Sequence, residues 1–145
     1  MKRWAGIVPV VTICVVATFS ACGTAGIVLS ESAAIEYDGM QYQSGSTIDF
    51  GNLSTAEGLF YVDCGFVNLL VEKNILLTEI TSTGDFETSY GGLPFDVLAG
   101  DTFGFGLTLL PVEAVSYGGT LTFTADGSRD TFVIHFVAEG FTPAS

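Results

Sequence analysis

The chain of 145 residues is strongly acidic, with 16 aspartates and glutamates against four lysines and arginines and a formal net charge of −12. This balance provides no basic stripe that could neutralise phosphates, which argues against a nucleic-acid partner. The length is that of a single domain, and a hydrophobic fraction of 48% with 12 phenylalanines is ample for its core.

The N-terminus has the layout of a bacterial lipoprotein signal peptide. Lys2 and Arg3 precede an apolar run over residues 5–19, and the small pair Ser20-Ala21 stands directly before Cys22. A positive segment, an apolar segment and small residues before the cut are what a signal peptidase recognises. Residues 1–21 are therefore predicted to be removed, and Cys22 becomes a lipidated first residue. The mature protein would be membrane-anchored in the bacterial cell envelope, on its periplasmic or its surface face.

Two other interpretations of this segment stay open. An ordinary secretory signal could be cut after Ala21 or Ala25, and an uncleaved anchor is compatible with the uncharged run over residues 4–30. Pro9 interrupts that run and disfavours the anchor. Phe19 stands where such signals usually have leucine, three residues before the lipidated cysteine, and could slow lipidation or cleavage.

The mature chain would differ in charge and in cysteine content. Lys73 and Arg129 would remain against all 16 acidic residues, a net charge of −14. Anionic headgroups would repel such a domain, so its attachment must come from acyl chains, at about 0.8 kcal/mol per buried methylene. With Cys14 removed and Cys22 lipidated, Cys64 has no cysteine to pair with. The domain is thus predicted to be held by its core, without a disulfide.

The pattern beyond the signal is β throughout. Residues 22–34 are predicted to form the lipidated N-terminus and a short tether, residues 35–140 one domain, and residues 141–145 a tail. The apolar segments of the domain, separated by turn signals, lie at 48–50, 60–66, 75–81, Phe86, 95–97, 103–109, 120–125 and 131–138. Seven or so short strands of this kind predict an all-β, immunoglobulin-like antiparallel sandwich. Within the segment 75–81, Thr78 and Ile80 are expected to share a face.

Two of the segments alternate clearly and predict which side chains face inward. The first, residues 60–66, puts Cys64 in the core as a small hydrophobe. The second, residues 103–109, has an apolar inward face and an outward face that includes Gly104 and Gly106. Glycine within a strand often marks a close approach by another surface, so these two are the candidate partner-binding residues. The alternative is that an aromatic side chain of the same sheet covers them.

An ordered series of strand and turn motifs runs through the domain. The motifs are Ile48-Asp49-Phe50-Gly51, Val62 to Asn68, Gly84-Asp85-Phe86, Leu98-Ala99-Gly100-Asp101, Phe105 to Pro111, Gly119-Thr120-Leu121-Thr122-Phe123 and Phe136-Val137-Ala138-Glu139-Gly140. Over residues 46–140 this series resembles the immunoglobulin-like ASPM-SPD-2-Hydin module, known in bacteria as the choice-of-anchor D domain. The chain departs from that pattern after Asn68, where Leu69-Leu70 replaces a small residue. The resemblance implies a non-catalytic fold used for attachment or assembly.

Residues with catalytic or metal-binding potential are few. His135, the single histidine, shares a strand face with Val133 and Val137 and is expected to face solvent. A hydrolase built on it would need a serine and an acidic partner, and no Gly-x-Ser-x-Gly elbow is present. One histidine is too few for a cupredoxin-type copper site. No cofactor is therefore predicted.

Carboxylates flank two turns and could hold calcium. Asp126 and Asp130 bracket the last turn, and Asp85 and Glu87 bracket another, but neither spacing matches a dedicated calcium loop. The sequence as a whole predicts a lipid-anchored structural or protein-binding module without enzymatic activity or a small-molecule substrate. A calcium-dependent surface adhesin is the first alternative, and a hydrolase is the second.

Overall fold

The computed structural model describes residues 26–144, which form a sandwich of two five-stranded sheets. A four-residue helix, α1 (Leu29–Ser32), comes first. The strands are β1 (Ala33–Tyr37), β2 (Met40–Tyr42), β3 (Thr47–Ser54), β4 (Phe60–Asn68), β5 (Ile75–Gly84), β6 (Glu87–Tyr90), β7 (Phe95–Val97), β8 (Thr102–Leu109), β9 (Ser116–Ala125) and β10 (Phe132–Phe141). The predictions made for residues 1–25, including Cys22, lie outside the described residues.

The predicted all-β immunoglobulin-like sandwich is confirmed, with ten strands in place of about seven. The first sheet has the order β2-β1-β4-β8-β6, and the second has the order β3-β10-β9-β5-β7. One strand pair departs from the fully antiparallel expectation, because β3 runs parallel to β10. The cause lies in the crossover before β3. Hydrogen bonds from Gly45 N to Val133 O and from His135 N to Ser46 O place the start of β3 beside the start of β10.

The core fills the space between the two sheets. Four phenylalanines, Phe66, Phe123, Phe132 and Phe136, are fully buried there. The inward faces predicted for the two alternating segments are confirmed: Cys64 and the apolar set of β8, Phe103, Phe105, Leu107 and Leu109, are all buried. Dense aromatic contact, such as the 4.9 Å between the ring centroids of Phe66 and Phe123, gives this core its packing.

The domain begins earlier than residue 35, so the predicted tether is too long. Leu29 is fully buried, and Ile27, Ala33 and Ala34 are also buried. Apolar side chains that a tether would expose instead fill the end of the core, and Ala33 and Ala34 already belong to β1. At the other boundary, β10 extends to Phe141, one residue into the predicted tail.

The faces of β5 also differ from the prediction. The register of β5 against β9 shifts between Leu77 and Glu79, which is a β-bulge. The extra residue turns Thr78 outward and brings Ile80 into the core, so the two do not share a face.

Candidate functional site

The two candidate glycines lie on the outward side of β8, a strand flanked on both sides by others, and their surroundings differ. A Cβ atom built on Gly104 would have no atom within 4 Å. A Cβ atom on Gly106 would lie 2.8 Å from the hydroxyl oxygen of Tyr61 and 2.8 Å from Oγ of Ser89. The covering aromatic side chain envisaged from the sequence is therefore present at Gly106, whereas the backbone at Gly104 is bare.

Three neighbouring strands build a shallow groove around Gly104. Gly106 stands opposite Asp63 of β4 and opposite Ser89 of β6, so side chains from both neighbours flank β8. The groove has a volume of about 510 Å³. We call it the Gly104 groove, defined by Tyr61, Asp63, Ser89, Gly104 and Gly106. Its polar groups are two hydroxyls and one carboxylate, which suits hydrogen bonding to a partner.

Tyr61 and Asp63 form the fixed polar side of the Gly104 groove. The Tyr61 hydroxyl donates to Oδ1 of Asp63 at 2.6 Å. That hydrogen bond, with smaller contributions from desolvation and from the negative charge of Asp63, raises the pKa of Tyr61 above its usual value. The phenol thus remains a protonated donor, directed at the carboxylate of Asp63.

His135 lies where the sequence predicted, on the outward face of the second sheet. Its side chain is half-buried, between the half-buried Val133 and the exposed Val137. Its Nδ1 atom is 3.0 Å from Oγ1 of Thr120, the residue opposite it on β9. A threonine hydroxyl therefore occupies the place where a catalytic triad would need an acidic partner or a serine.

Two of the four turn carboxylates considered as calcium ligands, those of Asp85 and Asp130, take part in local hydrogen bonds. Asp85 accepts from the backbone N–H of Gly118 at 3.0 Å, and Asp130 accepts from the N–H of Ser30 at 3.2 Å and from its hydroxyl. Within residues 26–144, no three His, Cys, Asp or Glu side chains are grouped as a metal ion would require. These contacts give the carboxylates a structural role in holding the turns.

Cys64 is a free thiol on the inward side of β4. Burial, and to a lesser extent the adjacent negative charge of Asp63, raises its pKa to about 12. A thiol must ionise to act as a nucleophile, so Cys64 is inert at neutral pH. The prediction that it serves as a small core residue is confirmed by its burial.

Asn68 organises one end of the sandwich, a role that the sequence analysis did not assign. Its fully buried amide donates to Lys73 O at 2.8 Å and to Val97 O at 3.0 Å, and accepts from Leu70 N at 2.9 Å. We call this the α1 end; it comprises α1, the loop 69–74, the turn 98–101 and the β9–β10 turn 126–131. An asparagine that ends an apolar strand just before a loop was the available signal, since its side chain commonly bonds to the backbone two residues on.

The opposite end, which we call the Phe141 end, comprises residues 55–59, 110–115 and 141–144. Its exposed apolar side chains are Leu59, Leu110, Val112, Val115 and Phe141. The Tyr117 hydroxyl holds its loop, accepting from Val112 N at 3.1 Å and from Glu113 N at 3.0 Å. Between residues 26 and 144, no helix has the length and hydropathy needed to cross a bilayer.

No family model and no curated protein matches the sequence. Solved structures share the fold. A protein of unknown function from Porphyromonas gingivalis W83 has a TM-score of 0.55 and 11% identity, covering 92% of this chain and 54% of that one. A family 123 glycoside hydrolase from Clostridium perfringens has a TM-score of 0.54 and 8% identity, covering 77% of this chain and 27% of that one.

The ASH / PapD-like domain of human CEP192 has a TM-score of 0.50 and 8% identity, with 91% of this chain and 99% of that domain covered. The chain thus spans about a quarter to a half of the first two proteins and nearly all of the third. Likeness at these identities shows the fold alone. An immunoglobulin-like fold is compatible with a binding module, and it does not dictate function.

Proposed function

We propose that the protein is an exported immunoglobulin-like module of the bacterial cell envelope, held on a membrane by lipid on Cys22, which binds a protein partner and catalyses no reaction. The observation that carries the binding role is Gly104, whose bare backbone lies open on the outward face of the first sheet. The ordered motifs over residues 46–140 support the ASPM-SPD-2-Hydin family for the domain.

The Gly104 groove suits a protein partner better than a small molecule. It is shallow, so it would enclose little of a small ligand, whereas most small-molecule sites are concave and bury most of their ligand. At Gly104 a partner can approach the main chain closely, while Tyr61, Asp63 and Ser89 supply hydrogen-bonding groups at the side. Strand β6 borders the groove and is an edge of its sheet, so it can also pair with an extended segment.

The lipid anchor is tested by metabolic labelling with palmitate. The wild-type chain and Cys14→Ala should incorporate the label, because Cys14 lies within the signal. Cys22→Ala should not incorporate it. Equal labelling of wild type and Cys22→Ala, or a mature N-terminus at another residue, would contradict the anchor.

The binding role is tested by crosslinking in native membranes, followed by capture of the tagged protein. Gly104→Val should lose most of the crosslinked partner and keep its melting temperature, because the new side chain enters open space on a strand that favours β-branched residues. Gly92→Val is the matched control, since it also adds a side chain to open space but lies outside the groove. Gly106→Val is unsuitable, because its side chain would displace Tyr61 and Ser89.

His135→Ala separates binding from catalysis. We expect this variant to capture the partner as the wild type does, because His135 lies on the second sheet and the Gly104 groove lies on the first. If His135→Ala abolished function and Gly104→Val left it intact, the binding proposal would fail and a chemical role for the histidine would return.

A further inference from the structure

The chain enters the described domain at a fixed point on the α1 end. The N–H of Gly26 donates to Gly127 O at 2.8 Å, and Gly26 O accepts from Nε of Arg129 at 2.8 Å. The N–H of Arg129 donates to Ile27 O at 2.8 Å. The β9–β10 turn therefore holds Gly26 and Ile27 at the α1 end.

The distance from this point to Cys22 is short. Only residues 23–25 lie between Cys22 and Gly26, so the two are separated by at most about 14 Å of extended chain. The ten residues of β10, which run from the α1 end to the Phe141 end, span about 30 Å. An acylated Cys22 would thus bring the α1 end to the membrane, and the Phe141 end could not reach it in the same orientation.

Apolar side chains are exposed at the α1 end. Val71 is 86% exposed, Leu98 is 51% exposed and Leu69 is 44% exposed. They lie on the loop 69–74 and the turn 98–101, and both segments form hydrogen bonds with Asn68. The neighbouring Leu70 packs partly against the core. Together the exposed side chains make an apolar tip, whose supporting loops are held by hydrogen bonds to the side chain and the backbone of Asn68.

The charges at this end favour apolar contact over headgroup attraction. Lys73 and Arg129, the lysine and arginine that follow the signal, are both exposed there. Five acidic residues share the same end: Glu31, Glu72, Asp101, Asp126 and Asp130. The net charge there remains negative, so attraction to anionic lipid cannot hold the tip on the membrane.

We infer that the α1 end rests on the lipid surface, with Val71, Leu69 and Leu98 inserted at the boundary between headgroups and acyl chains. The inference rests on the proposed lipid at Cys22 and adds a defined orientation to it. The acyl chains supply the attachment, and the apolar tip fixes how the domain stands. In this orientation the Gly104 groove faces sideways, parallel to the membrane, and the exposed apolar residues of the Phe141 end point away from it.

The test uses tryptophan as a depth reporter, because Trp4 is the single tryptophan of the chain and can be removed by Trp4→Phe. In that background, three full-length variants each carry one tryptophan: Val71→Trp at the apolar tip, Val112→Trp at the Phe141 end and Val137→Trp on the outward face of the second sheet. All three positions are exposed. Each protein is purified from membranes and reconstituted in phosphatidylcholine vesicles with or without spin-labelled lipid.

Spin-labelled lipid should quench most of the fluorescence of Val71→Trp, and its emission should shift to the blue in vesicles. Val112→Trp and Val137→Trp should show neither change. Quenching of Val137→Trp as strong as that of Val71→Trp would mean that the domain lies on its side, and an unquenched Val71→Trp would mean that the tip stays in water. Either result overturns the inference.

Mass spectrometry of the same samples keeps the two proposals separate. Acyl groups on Cys22 together with an unquenched Val71→Trp would refute the orientation and leave the anchor intact. A chain without acyl groups whose Val71→Trp is still quenched would refute the lipid anchor and leave the apolar contact standing.

Discussion

The two ends of the sandwich are closed by different polar groups. At the α1 end the amide of Asn68 has no exposed surface, and its three hydrogen bonds join the loop 69–74 to Val97, the last residue of β7. At the Phe141 end the hydroxyl of Tyr117 has exposed hydrogen bonds, which it makes to Val112 and Glu113. Water can replace a lost partner more readily at the second site than at the first, where the Asn68 side chain is fully buried, so equal numbers of hydrogen bonds should have unequal effects on stability.

Asn68→Ala should produce the largest loss of stability. It leaves the N–H of Leu70 and the carbonyls of Lys73 and Val97 without their amide partner. A buried group left unpaired, as the carbonyl of Val97 would be, costs about 1–3 kcal/mol, and the two part-buried groups add to this loss. We expect the free energy of unfolding to fall by about 3 kcal/mol, measured by urea denaturation. Asn74→Ala is the matched control, since its hydrogen bonds to Asp96 and Ala99 are exposed. If Asn68→Ala and Asn74→Ala lost similar amounts of unfolding free energy, burial would not be what makes the hydrogen bonds of Asn68 important.

Tyr117→Phe should have a smaller effect, because the ring remains and only the exposed hydroxyl is lost. Net contributions of single hydrogen bonds are about 0.5–1.5 kcal/mol, so we expect a loss of about 1 kcal/mol in the same assay. Tyr90→Phe removes one long contact of 3.5 Å, to Ile80 O, and should lose less. If Tyr117→Phe destabilised the protein as much as Asn68→Ala, exposure would not be the deciding difference between the ends.

The smallest effect concerns acid pH at the α1 end. Desolvation alone would raise the pKa of Asp130. Hydrogen bonds from Ser30 Oγ and from the N–H groups of Ser30 and Leu29, together with the positive charge of Arg129, outweigh the desolvation. The net effect lowers the pKa of Asp130 below 3.8. The folded state therefore binds the proton less readily than the unfolded chain does. The stabilisation that ionised Asp130 gives the folded state is present above pH 3.8. It is lost as the pH falls through the lower pKa that Asp130 has in the folded state.

Ser30→Ala should reduce this acid sensitivity, because it removes the hydroxyl donor to Asp130. The decrease in unfolding free energy from about pH 5 to about pH 3 should be smaller in Ser30→Ala than in the wild type. Ser128→Ala is the control: its hydroxyl bonds to the carbonyls of Ala125 and Asp130, so it should lower stability equally at both pH values. The same acid sensitivity in all three proteins would contradict the role given to Ser30.

Local alternation was sufficient to predict the inward side chains of β8 and of the first part of β4. Over residues 62–65 and 103–108 each apolar residue is followed by a polar residue or a glycine, so the side-chain period alone fixes the inward set. Ile27 and Leu29 could not be placed in this way. Their burial depends on a space between the two sheets that exists only after the sheets have packed, and in the sequence they resemble the end of a signal region.

The remaining errors involve pairing between distant strands. The bulge at Thr78 depends on the register of β5 against β9, and the parallel direction of β3 depends on the crossover at Gly45 and Ser46. For the candidate site, Gly104 and Gly106 are equivalent in the sequence of β8. They differ because Tyr61, on β4, covers only one of them, and cross-strand neighbours cannot be read from a single strand.

The placement of Gly26 and Phe141 at opposite ends would have a mechanical consequence if Cys22 carries the proposed lipid anchor. A load applied between the anchor and the C-terminus would act along β10, which pairs with β9 on one side and β3 on the other. Interstrand hydrogen bonds in an antiparallel pair lie perpendicular to the strands, so this load would shear the eight register pairs of β9 and β10 together. Pulling Ser116 and Glu139 apart at the open end of this hairpin would instead separate those pairs one after another, and the domain should resist the first direction with greater force.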